Sequence, residues 1–473
     1  MKQLVKGVLF FLFMHIYAIG TAQDSIGIKN ILTPQAFAAI VKSYHPIIKQ
    51  ADINVLKASA NITVARAGFD PSFYIQSEQK TFNGVDYYQY TNPELKIPTW
   101  YGIEVKAGLE NNSGNFLNSE SSSGQSSYLG FTVPLAKNLV IDKRRAALQQ
   151  AKIFNNQSSA EKLNTINDVL YDAYSDYWNW VKEYEVYKIL SNTVAINKDR
   201  FNLIKIGFRQ GDRPAIDTIE ALAQLQSFEF LQSESAVKFK NAGVTLSAYL
   251  WQANDSYYQL NDNTLPDSKW INIPIQDEKF DVLDNLIYTA KTTHPKLRIF
   301  NFKMQLLELD RKLKFQSLLP TINVKANLLN KGYDVFKNAS ADFYQNNNKF
   351  GIDIGLPLRL SEGRGSYKIA KLKIKETTYQ QNMQVQEIEN KVRYYFNEVL
   401  GLQQQIKMYE AAYKNYQTLL RGEETRFTAG ESSLFILNNR ENKVLEVLQK
   451  LVELKTKFFK AQIALQWATG QLN

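Results

Sequence analysis

The sequence contains no cysteine among its 473 residues. Disulfides, thiolate metal sites and cysteine nucleophiles are therefore excluded. We also expect no lipid anchor of the bacterial lipoprotein type, because that anchor is attached to a cysteine. Histidine is nearly as scarce, with three residues in the whole chain. The sequence also has no phosphate-binding loop and no dinucleotide-binding glycine motif, so we expect neither an enzyme nor a cofactor.

Long apolar runs are missing after the N-terminal segment. In the N-terminal segment, Lys2 and Lys6 precede the apolar run GVLFFLFMHIYAIG, and small residues before Gln23 offer a cleavage site. The run is shorter than the roughly 20 apolar residues of a membrane-spanning helix. We therefore predict a signal peptide at residues 1–22 and favour it over a retained anchor. An exported chain without a helical span is either free or enters a membrane as β-strands.

The net charge of +10 is spread along the chain. Lysines and arginines alternate with acidic residues, whereas a nucleic-acid-binding surface would group the basic residues together. We interpret these charges as solvated helix faces and predict no nucleic-acid partner.

The chain repeats one set of landmarks in the same order. The set is a His-Pro pair, a proline 26 residues after the histidine, a second proline after an alternating run, a glycine, and a leucine 35 residues after that glycine. The two copies are His45-Pro46, Pro71, Pro134, Gly211, Leu246 and His294-Pro295, Pro320, Pro357, Gly430, Leu465. This order predicts a duplicated sequence of helix, strands, long helix, turn and long helix. We place the first repeat at residues 23–277 and the second at residues 278–473.

The two His-Pro pairs suit helix starts. Proline is favoured at the first helical position, where its missing N–H has no hydrogen bond to lose. The alternative is a metal site at His45 and His294. The third histidine of the chain lies in the predicted signal peptide, so we favour the structural interpretation and predict no metal.

The long helical stretches carry apolar seams that step by threes and fours. The seams are Leu163, Ile166, Leu170, Ala173, Tyr177, Trp180, Tyr184, Tyr187; Val385, Ile388, Val392, Tyr395, Val399, Leu402, Ile406, Tyr409; and Val444, Val447, Leu451, Leu454, Phe458, Ala461, Leu465. A second stripe of Tyr174, Trp178 and Val181 lies beside the first seam. This spacing indicates coiled-coil packing, and a helix with two seams can pack on both sides, as in a closed ring of helices.

Alternating segments predict strands. In PTINVKANL, KFGIDIGLPL and YGIEVKAGLE, apolar residues alternate with polar, charged or glycine positions. This pattern fits a barrel wall with lipid outside and water inside, and the alternative is an ordinary sheet with a core on one face. Each repeat needs an even number of strands. The second repeat has a pair at about 320–329 and 348–357, and the first has three candidates near 71–79, 100–110 and 127–134. Either one candidate does not span, or two form a bent strand around NPELKIPTW.

About four spanning strands cannot close a membrane barrel, since the smallest such barrels have about eight. Open sheet edges are not tolerated in lipid. We therefore expect several identical chains to share one wall, and three chains would supply twelve strands.

The duplicated order resembles that of the TolC-like outer-membrane efflux proteins, the outer membrane factors. The resemblance rests on the His-Pro helix starts, PLAKNLVIDKRRAALQQA and PLRLSEGRGSYKIAKLKI after the strands, and F-x-x-G-x-x-(Ser/Pro) at both helix reversals. It covers nearly all of the chain after the signal peptide. It implies a mixed α and β membrane protein, a homotrimer with a 12-stranded outer-membrane β-barrel that continues into a long periplasmic α-helical barrel.

Such proteins are exit ducts of tripartite efflux pumps or type I secretion systems. The resemblance therefore implies three kinds of partner besides further copies of the chain: a periplasmic adaptor protein, an inner-membrane transporter and outer-membrane lipid. The rival interpretation is a non-conducting coiled-coil surface or stalk protein. A stalk would explain the heptads but not the alternating strands in both repeats.

The resemblance also implies roles for residues at the two reversals. The adaptor would dock at the periplasmic tips, at Gly211, Pro214, Gly430 and Ser433. Family members commonly carry acidic residues six and nine positions after the second glycine, but this chain has Ile436 and Asn439 there. The equivalent positions of the first repeat hold Asp217 and Glu220, which we predict to constrict the pore. Their predicted ion-pair partners across neighbouring hairpins are Arg209, Arg213, Arg426 and Arg440. The alternative is solvated helix-end charge, since exposed pairs contribute only ~0–1 kcal/mol.

Overall fold

A computed structural model of the chain describes residues 31–119, 121–261, 263–272, 282–333 and 347–472. The predicted signal peptide and the predicted boundary between the repeats lie outside these residues. The helices are α1 Pro34–Tyr44, α2 Pro46–Arg66, α3 Lys143–Gln210, α4 Ala215–Ser247, α5 Val282–Thr293, α6 Pro295–Phe315, α7 Ser361–Thr428 and α8 Leu434–Thr469. The strands are β1 Ile31–Leu32, β2 Ser72–Phe82, β3 Val85–Pro98, β4 Glu104–Ser113, β5 Gly124–Pro134, β6 Leu265–Pro266, β7 Thr321–Lys331 and β8 Asn348–Gly355. The fold is thus mixed α and β and mostly helical.

The chain divides into two compact units, each built from several stretches of sequence. The first unit consists of Met1–Pro46, Asp172–Asp277 and Leu400–Lys460. The second consists of Ile47–Tyr171, Glu278–Val399 and Ala461–Asn473. The first unit contains both helix reversals and the short parallel pair β1–β6, and the second contains the large sheet.

The His-Pro pairs begin helices, as predicted. Helix α2 starts at Pro46 and α6 starts at Pro295. His294 caps α6, because its Nδ1 accepts a hydrogen bond of 3.1 Å from the Lys296 N–H. The His45 ring stacks on Tyr249 with ring centres 5.8 Å apart. Within the described ranges, no group of three or more histidine, aspartate or glutamate side chains is placed to hold a metal ion.

The predicted seams lie in helix-packing interfaces. In the first unit, Tyr177 and Trp180 of α3 are among the largest fully buried side chains, and Val181 of the second stripe is also buried. In the second unit, Ile388 and Val392 of α7 form a core cluster with residues of α5, α6 and α8. Each such burial contributes roughly 1.5–3 kcal/mol, which explains why helices this long hold together. No helix in the described part of the chain combines the length and apolar character needed to cross a membrane.

The large sheet has six strands in the order β2-β3-β4-β5-β7-β8, and every neighbouring pair is antiparallel. The described residues thus place six strands in this sheet, two more than the four membrane-spanning strands predicted for each chain. All three candidates in the first repeat form strands, and a fourth, β3, lies between the first two. The expectation of an even number in each repeat is confirmed, with four strands before α3 and two before α7.

Strand β3 was missed because its sequence contains the breaker signals Asn-Pro and Ile-Pro. Proline cannot donate to a ladder and is unusual in a central strand. Here the β3–β4 pairing passes from Thr91 opposite Asn111 to Glu94 opposite Gly108, and leaves out Asn92 and Pro93. The Asn92 side-chain oxygen accepts a 3.4 Å hydrogen bond from the Asn111 N–H in that gap. A side chain thus substitutes for part of the backbone ladder around the proline.

Candidate functional site at the helix reversals

Both helix reversals have the same backbone geometry. Helix α3 ends before Gly211, which has φ of +84°, and α7 ends before Gly430, which has φ of +78°. In the first reversal, the Asp212 N–H donates to the Gly207 carbonyl at 2.9 Å and the Gly211 N–H to the Phe208 carbonyl at 3.1 Å. These two bonds define a Schellman motif, which requires a left-handed residue and so favours glycine.

The second reversal repeats this pair of bonds. The Glu431 N–H donates to the Arg426 carbonyl at 2.9 Å, and the Gly430 N–H donates to the Phe427 carbonyl at 3.2 Å. The sequence therefore placed both tight turns correctly. The motif explains the glycine of each F-x-x-G segment, and in both reversals the glycine N–H donates to the backbone carbonyl three residues earlier.

The helices that leave the reversals begin at the predicted residues. Pro214 occupies the cap position of α4 with extended backbone, and its carbonyl accepts a 3.2 Å bond from the Asp217 N–H. Ser433 precedes α8, and its hydroxyl accepts a 3.4 Å bond from the Ile436 N–H. These contacts satisfy N–H groups in the first turn of each new helix, which have no partner within the helix.

Arg213 connects the first reversal to the second. Its Nη2 donates a 3.2 Å hydrogen bond to the Phe427 carbonyl, and its guanidinium lies 4.3 Å from the centre of the Phe427 ring. Its Nη1 lies 3.8 Å from Oδ2 of Asp217. A cation on an aromatic face contributes about 0.5–1 kcal/mol at exposed sites. Arg213 therefore links the first reversal to the end of α7.

The two carboxylates predicted to constrict a pore have different partners. Asp217 faces Arg213 in its own hairpin, and both side chains are partly exposed. Glu220 accepts a 3.2 Å hydrogen bond from the Asn438 amide of α8. The structure thus brings Asp217 together with only one of the four predicted arginines.

The other three arginines do not contact these carboxylates in the described part of the chain. Arg426 lies 3.7 Å from Glu423 in its own helix and donates a 3.4 Å bond to the Glu431 carbonyl. Arg209 and Arg440 are solvent-exposed. Pairing of these residues with a neighbouring chain stays a prediction.

A small apolar core lies behind the reversals. It consists of Ile204, Ala221, Leu434 and Leu437, with Phe201, Leu420 and Phe427 packed against it. The four helices α3, α4, α7 and α8 all contribute to this core. The two reversals are therefore fixed to each other by packing as well as by Arg213.

A buried polar network next to this core was not predicted from the sequence. Arg200 of α3 donates to both oxygens of Glu441 in α8, at 2.6 Å and 3.2 Å. The Asn197 amide donates to the same carboxylate at 3.1 Å. The interpretation of the helix charges as solvated is wrong for this pair, whose side chains are 13% and 10% exposed. The signal in the sequence is faint, because the pairing depends on the register between two helices 241 residues apart.

We compared the sequence and the fold of the chain with those of known proteins. Residues 286–471 match the family model described as outer membrane efflux protein. No curated protein sequence matches the chain.

Solved structures of outer-membrane channels share the fold. The CmeC channel of Campylobacter jejuni matches with a TM-score of 0.62 at 14% identity, over 93% of this chain and 85% of that one. The open state of the MtrE channel of Neisseria gonorrhoeae matches with a TM-score of 0.62 at 14% identity, over 94% and 93%. The VceC protein of Vibrio cholerae matches with a TM-score of 0.60 at 14% identity, over 92% and 96%.

The resemblance inferred from the repeated motifs is thus confirmed by two independent comparisons, one of sequence and one of fold. The sequence similarity to the outer membrane efflux protein family is found at residues 286–471, which include the second reversal.

Proposed function

We propose that the protein is the outer-membrane exit duct of a tripartite efflux pump or type I secretion system, assembled from three copies of the chain. Substrates would pass through it from the periplasm to the exterior. The observation that supports this proposal best is the open six-stranded sheet with apolar side chains exposed along its edge strands.

The two edges of the sheet are β2 and β8. Phe73 and Ile75 of β2 and Ile352 and Ile354 of β8 are exposed. An edge of this kind in water promotes aggregation, and in lipid its unpaired backbone groups are too costly to leave open. A further strand must therefore cover each edge.

The geometry of the sheet suits closure by copies of itself. Because four strands lie between the two edges and every neighbouring pair is antiparallel, β2 and β8 run in opposite directions. Pairing β8 of one copy with β2 of the next would continue the antiparallel pattern. Three copies would supply 18 strands if all six of each copy joined the wall, and the predicted twelve if four of the six span the membrane.

The remaining architecture follows from the family resemblance. Each half of the chain has two helices, then strands, then two long helices. In this proposal the two halves derive from one duplicated unit, with repeats at residues 23–277 and 278–473. The long helices of three copies form a periplasmic α-helical barrel, with the reversals at Gly211 and Gly430 at its lower end. A periplasmic adaptor, held by an inner-membrane transporter, docks at these tips beside Pro214 and Ser433.

Cross-linking tests the assembly, since the chain has no cysteine of its own. Gln76→Cys in β2 would be combined in turn with Ile352→Cys or Ile354→Cys in β8. We expect a covalent trimer on a non-reducing gel. The control is Ser127→Cys with Asn330→Cys, which are direct partners in neighbouring strands and should link within one chain.

Conductance in a planar bilayer tests the function. We expect the purified protein to form ion-conducting pores. A mature protein that is monomeric in plain buffer, forms no cross-linked oligomer and is electrically silent would overturn the proposal and support a stalk.

Within this duct we propose that Asp217 and Glu220 narrow the pore at its periplasmic mouth. Both lie in the first turns of α4, beside the reversals. The double variant Asp217→Ala with Glu220→Ala should raise single-channel conductance and weaken cation preference. Glu424→Ala with Glu431→Ala, an equal charge change near the second reversal, serves as the control. Unchanged conductance and selectivity in the first variant would remove this assignment.

A further inference from the structure

Three helix ends meet at one end of the large sheet in the second unit. The start of α3 packs against the end of α6 through Ile141, Ala146 and Leu309. The end of α6 contacts the start of α7 through the rings of Phe315 and Tyr367, with centres 5.7 Å apart. The connection between β5 and α3 runs alongside the start of β7, since the Leu135 N–H donates to the Ile322 carbonyl at 2.7 Å. These helix ends therefore share one level next to the sheet.

Exposed basic side chains gather at this level. We call them the junction belt, which consists of Lys143, Lys312, Lys314, Arg364, Lys368 and Lys371. The last three follow one face of α7, because spacings of four and three residues return to the same side of a helix. None of the six forms an ion pair with another residue in the described ranges. The acidic residue nearest to the belt in sequence on α7 is Glu362, in the first turn of that helix.

Helix stability does not explain the part of the belt at the helix starts. Cations at a helix N-terminus are opposed by the helix dipole, whereas acidic residues are favoured there. Yet α3 begins with three consecutive basic residues and has no acidic residue in its first turn. Arg145 is bound internally by Asp142, and Arg144 lies 3.9 Å from Glu104. Lys143 has no such partner among the described residues, so its charge is free to meet an external anion.

Exposed aromatic residues lie at the same end of the sheet. The turn between β3 and β4 contains Trp100 and Tyr101, and Tyr101 is 80% exposed. This turn touches the start of α3, because a Cβ added at Gly102 would lie 2.8 Å from Nη2 of Arg145. Tryptophan and tyrosine are enriched where membrane meets water. Trp100 and Tyr101 therefore lie beside the belt in the position expected of residues at a membrane–water interface.

Apolar exposure continues from the sheet up to the belt. Leu356 and Leu358 follow β8 and precede Arg364 by a few residues, and Leu358 is 98% exposed. Exposed leucines directly before cations that lack ion-pair partners are typical of a chain that leaves hydrocarbon and enters the headgroup layer. The Lys371 ammonium also lies 4.7 Å from the centre of the Tyr367 ring, a contact that leaves its charge unneutralised. Lysine and arginine can keep their stems in apolar surroundings while their charges reach the phosphates.

We propose that the junction belt binds the anionic phosphates of phospholipid headgroups in the membrane leaflet nearest the helices. This inference rests on the proposed insertion of the sheet into the outer membrane. Under it, Trp100 and Tyr101 lie at the hydrocarbon boundary and the belt cations lie at the phosphate level. The contacts fix how deeply the sheet is inserted.

The test measures lipid binding by the purified full chain in a non-ionic detergent. Native mass spectrometry counts bound phosphatidylglycerol and, separately, bound zwitterionic phosphatidylcholine. We expect tighter binding of phosphatidylglycerol to the wild-type protein. The variant Arg364→Gln with Lys368→Gln and Lys371→Gln should lose about 100-fold in that affinity, about fivefold for each charge removed. Its phosphatidylcholine binding should not change.

The matched control is Lys198→Gln with Lys205→Gln and Lys414→Gln. These three lysines are also exposed and form no ion pair within the described ranges, so the charge change is equal. We expect the control to bind phosphatidylglycerol like the wild type, and 10 mM inorganic phosphate to displace none of the lipid. Equal losses in both variants, or displacement by free phosphate, would overturn the proposal.

Conductance separates this inference from the proposed function. If the wild-type protein and both variants conduct in a bilayer but none prefers phosphatidylglycerol, the belt proposal fails and the duct stands. If no protein conducts in any lipid, the proposed function itself fails, and the belt proposal fails with it.

Discussion

Removal of the Glu441 carboxylate tests what holds α3 to α8 in the first unit. Arg200 donates to both oxygens of this carboxylate, and Asn197 donates to one of them. The side chains of Arg200 and Glu441 are only 13% and 10% exposed. Glu441→Ala therefore leaves a largely buried guanidinium without its counter-charge.

The expected cost follows from this burial. Removing one partner of a fully buried ion pair destabilises by about 3–5 kcal/mol. We expect about 3 kcal/mol for Glu441→Ala, the low end of that range, because about a tenth of each side chain still reaches solvent. The double variant Arg200→Met with Glu441→Leu should recover most of the loss. Apolar side chains of similar volume often replace a buried pair at no net cost.

Hydrogen exchange measured by mass spectrometry reports on this region directly. A loss of about 3 kcal/mol corresponds to roughly 100-fold faster exchange of amides that open with the helix pair. Glu446→Ala is the matched control, because Glu446 lies in the same helix, pairs with Lys443 at 2.8 Å and is 68% exposed. Exposed pairs contribute ~0–1 kcal/mol, so exchange in the control should barely change.

Two results would refute this reasoning. If hydrogen exchange in Glu441→Ala matches that in the Glu446→Ala control, burial does not increase the contribution of the Arg200–Glu441 pair to stability. A double variant as destabilised as Glu441→Ala would show that the loss comes from side-chain shape and not from the unpaired charge of Arg200.

Three further predictions concern other parts of the chain. Gly430→Ala should lower the free energy of unfolding by about 1–2 kcal/mol, because Gly430 has a left-handed φ of +78°. The control Gly422→Ala, inside α7, should be neutral or stabilise by up to about 1 kcal/mol. Equal melting temperatures of the two variants would contradict this prediction. The Asn167 side chain accepts a 3.0 Å hydrogen bond from the Leu472 N–H. Asn167→Ala should therefore lower the free energy of unfolding by about 2–3 kcal/mol and speed removal of the C-terminal residues by carboxypeptidase; an unchanged cleavage rate would contradict this prediction. Burial, with a smaller effect of neighbouring lysines, lowers the pKa of His294 to about 4. Because the folded state favours the neutral ring, this stabilisation is complete above the unfolded pKa of about 6.5 and is lost as the pH falls toward 4, by about 3 kcal/mol. His294→Asn, which can still cap α6, should reduce this loss in unfolding measured against pH; a wild-type pH dependence in the variant would exclude His294 as its source.

The positions of helices and reversals followed from the sequence because local chemistry sets them. Proline after histidine marks the start of α2 and α6, since proline fits the first helical position without losing a hydrogen bond. Gly211 and Gly430 mark the ends of α3 and α7, since a Schellman motif needs a left-handed residue. Each of these constraints acts over only a few residues, so each is visible in one short stretch.

The apolar seams were equally predictable. A spacing of alternating threes and fours places residues on one helix face whatever the partner helix is. Tyr177, Trp180 and Val392 are buried for that reason. The sequence therefore determined which faces are covered, and the family motifs were recognisable from the same repeated spacing.

Tertiary structure decided which partners meet. Strand β3 forms although it contains Pro93, because neighbours on both sides pair with it and the Asn92 side chain covers the gap in the ladder. Glu441 is buried because the packing of α3 against α8 brings it to Arg200. These outcomes depend on register between segments far apart in the chain, and register is set by the sum of many packing contacts. A single sequence records the faces that pack, but the three-dimensional fold alone determines which residues they bring together.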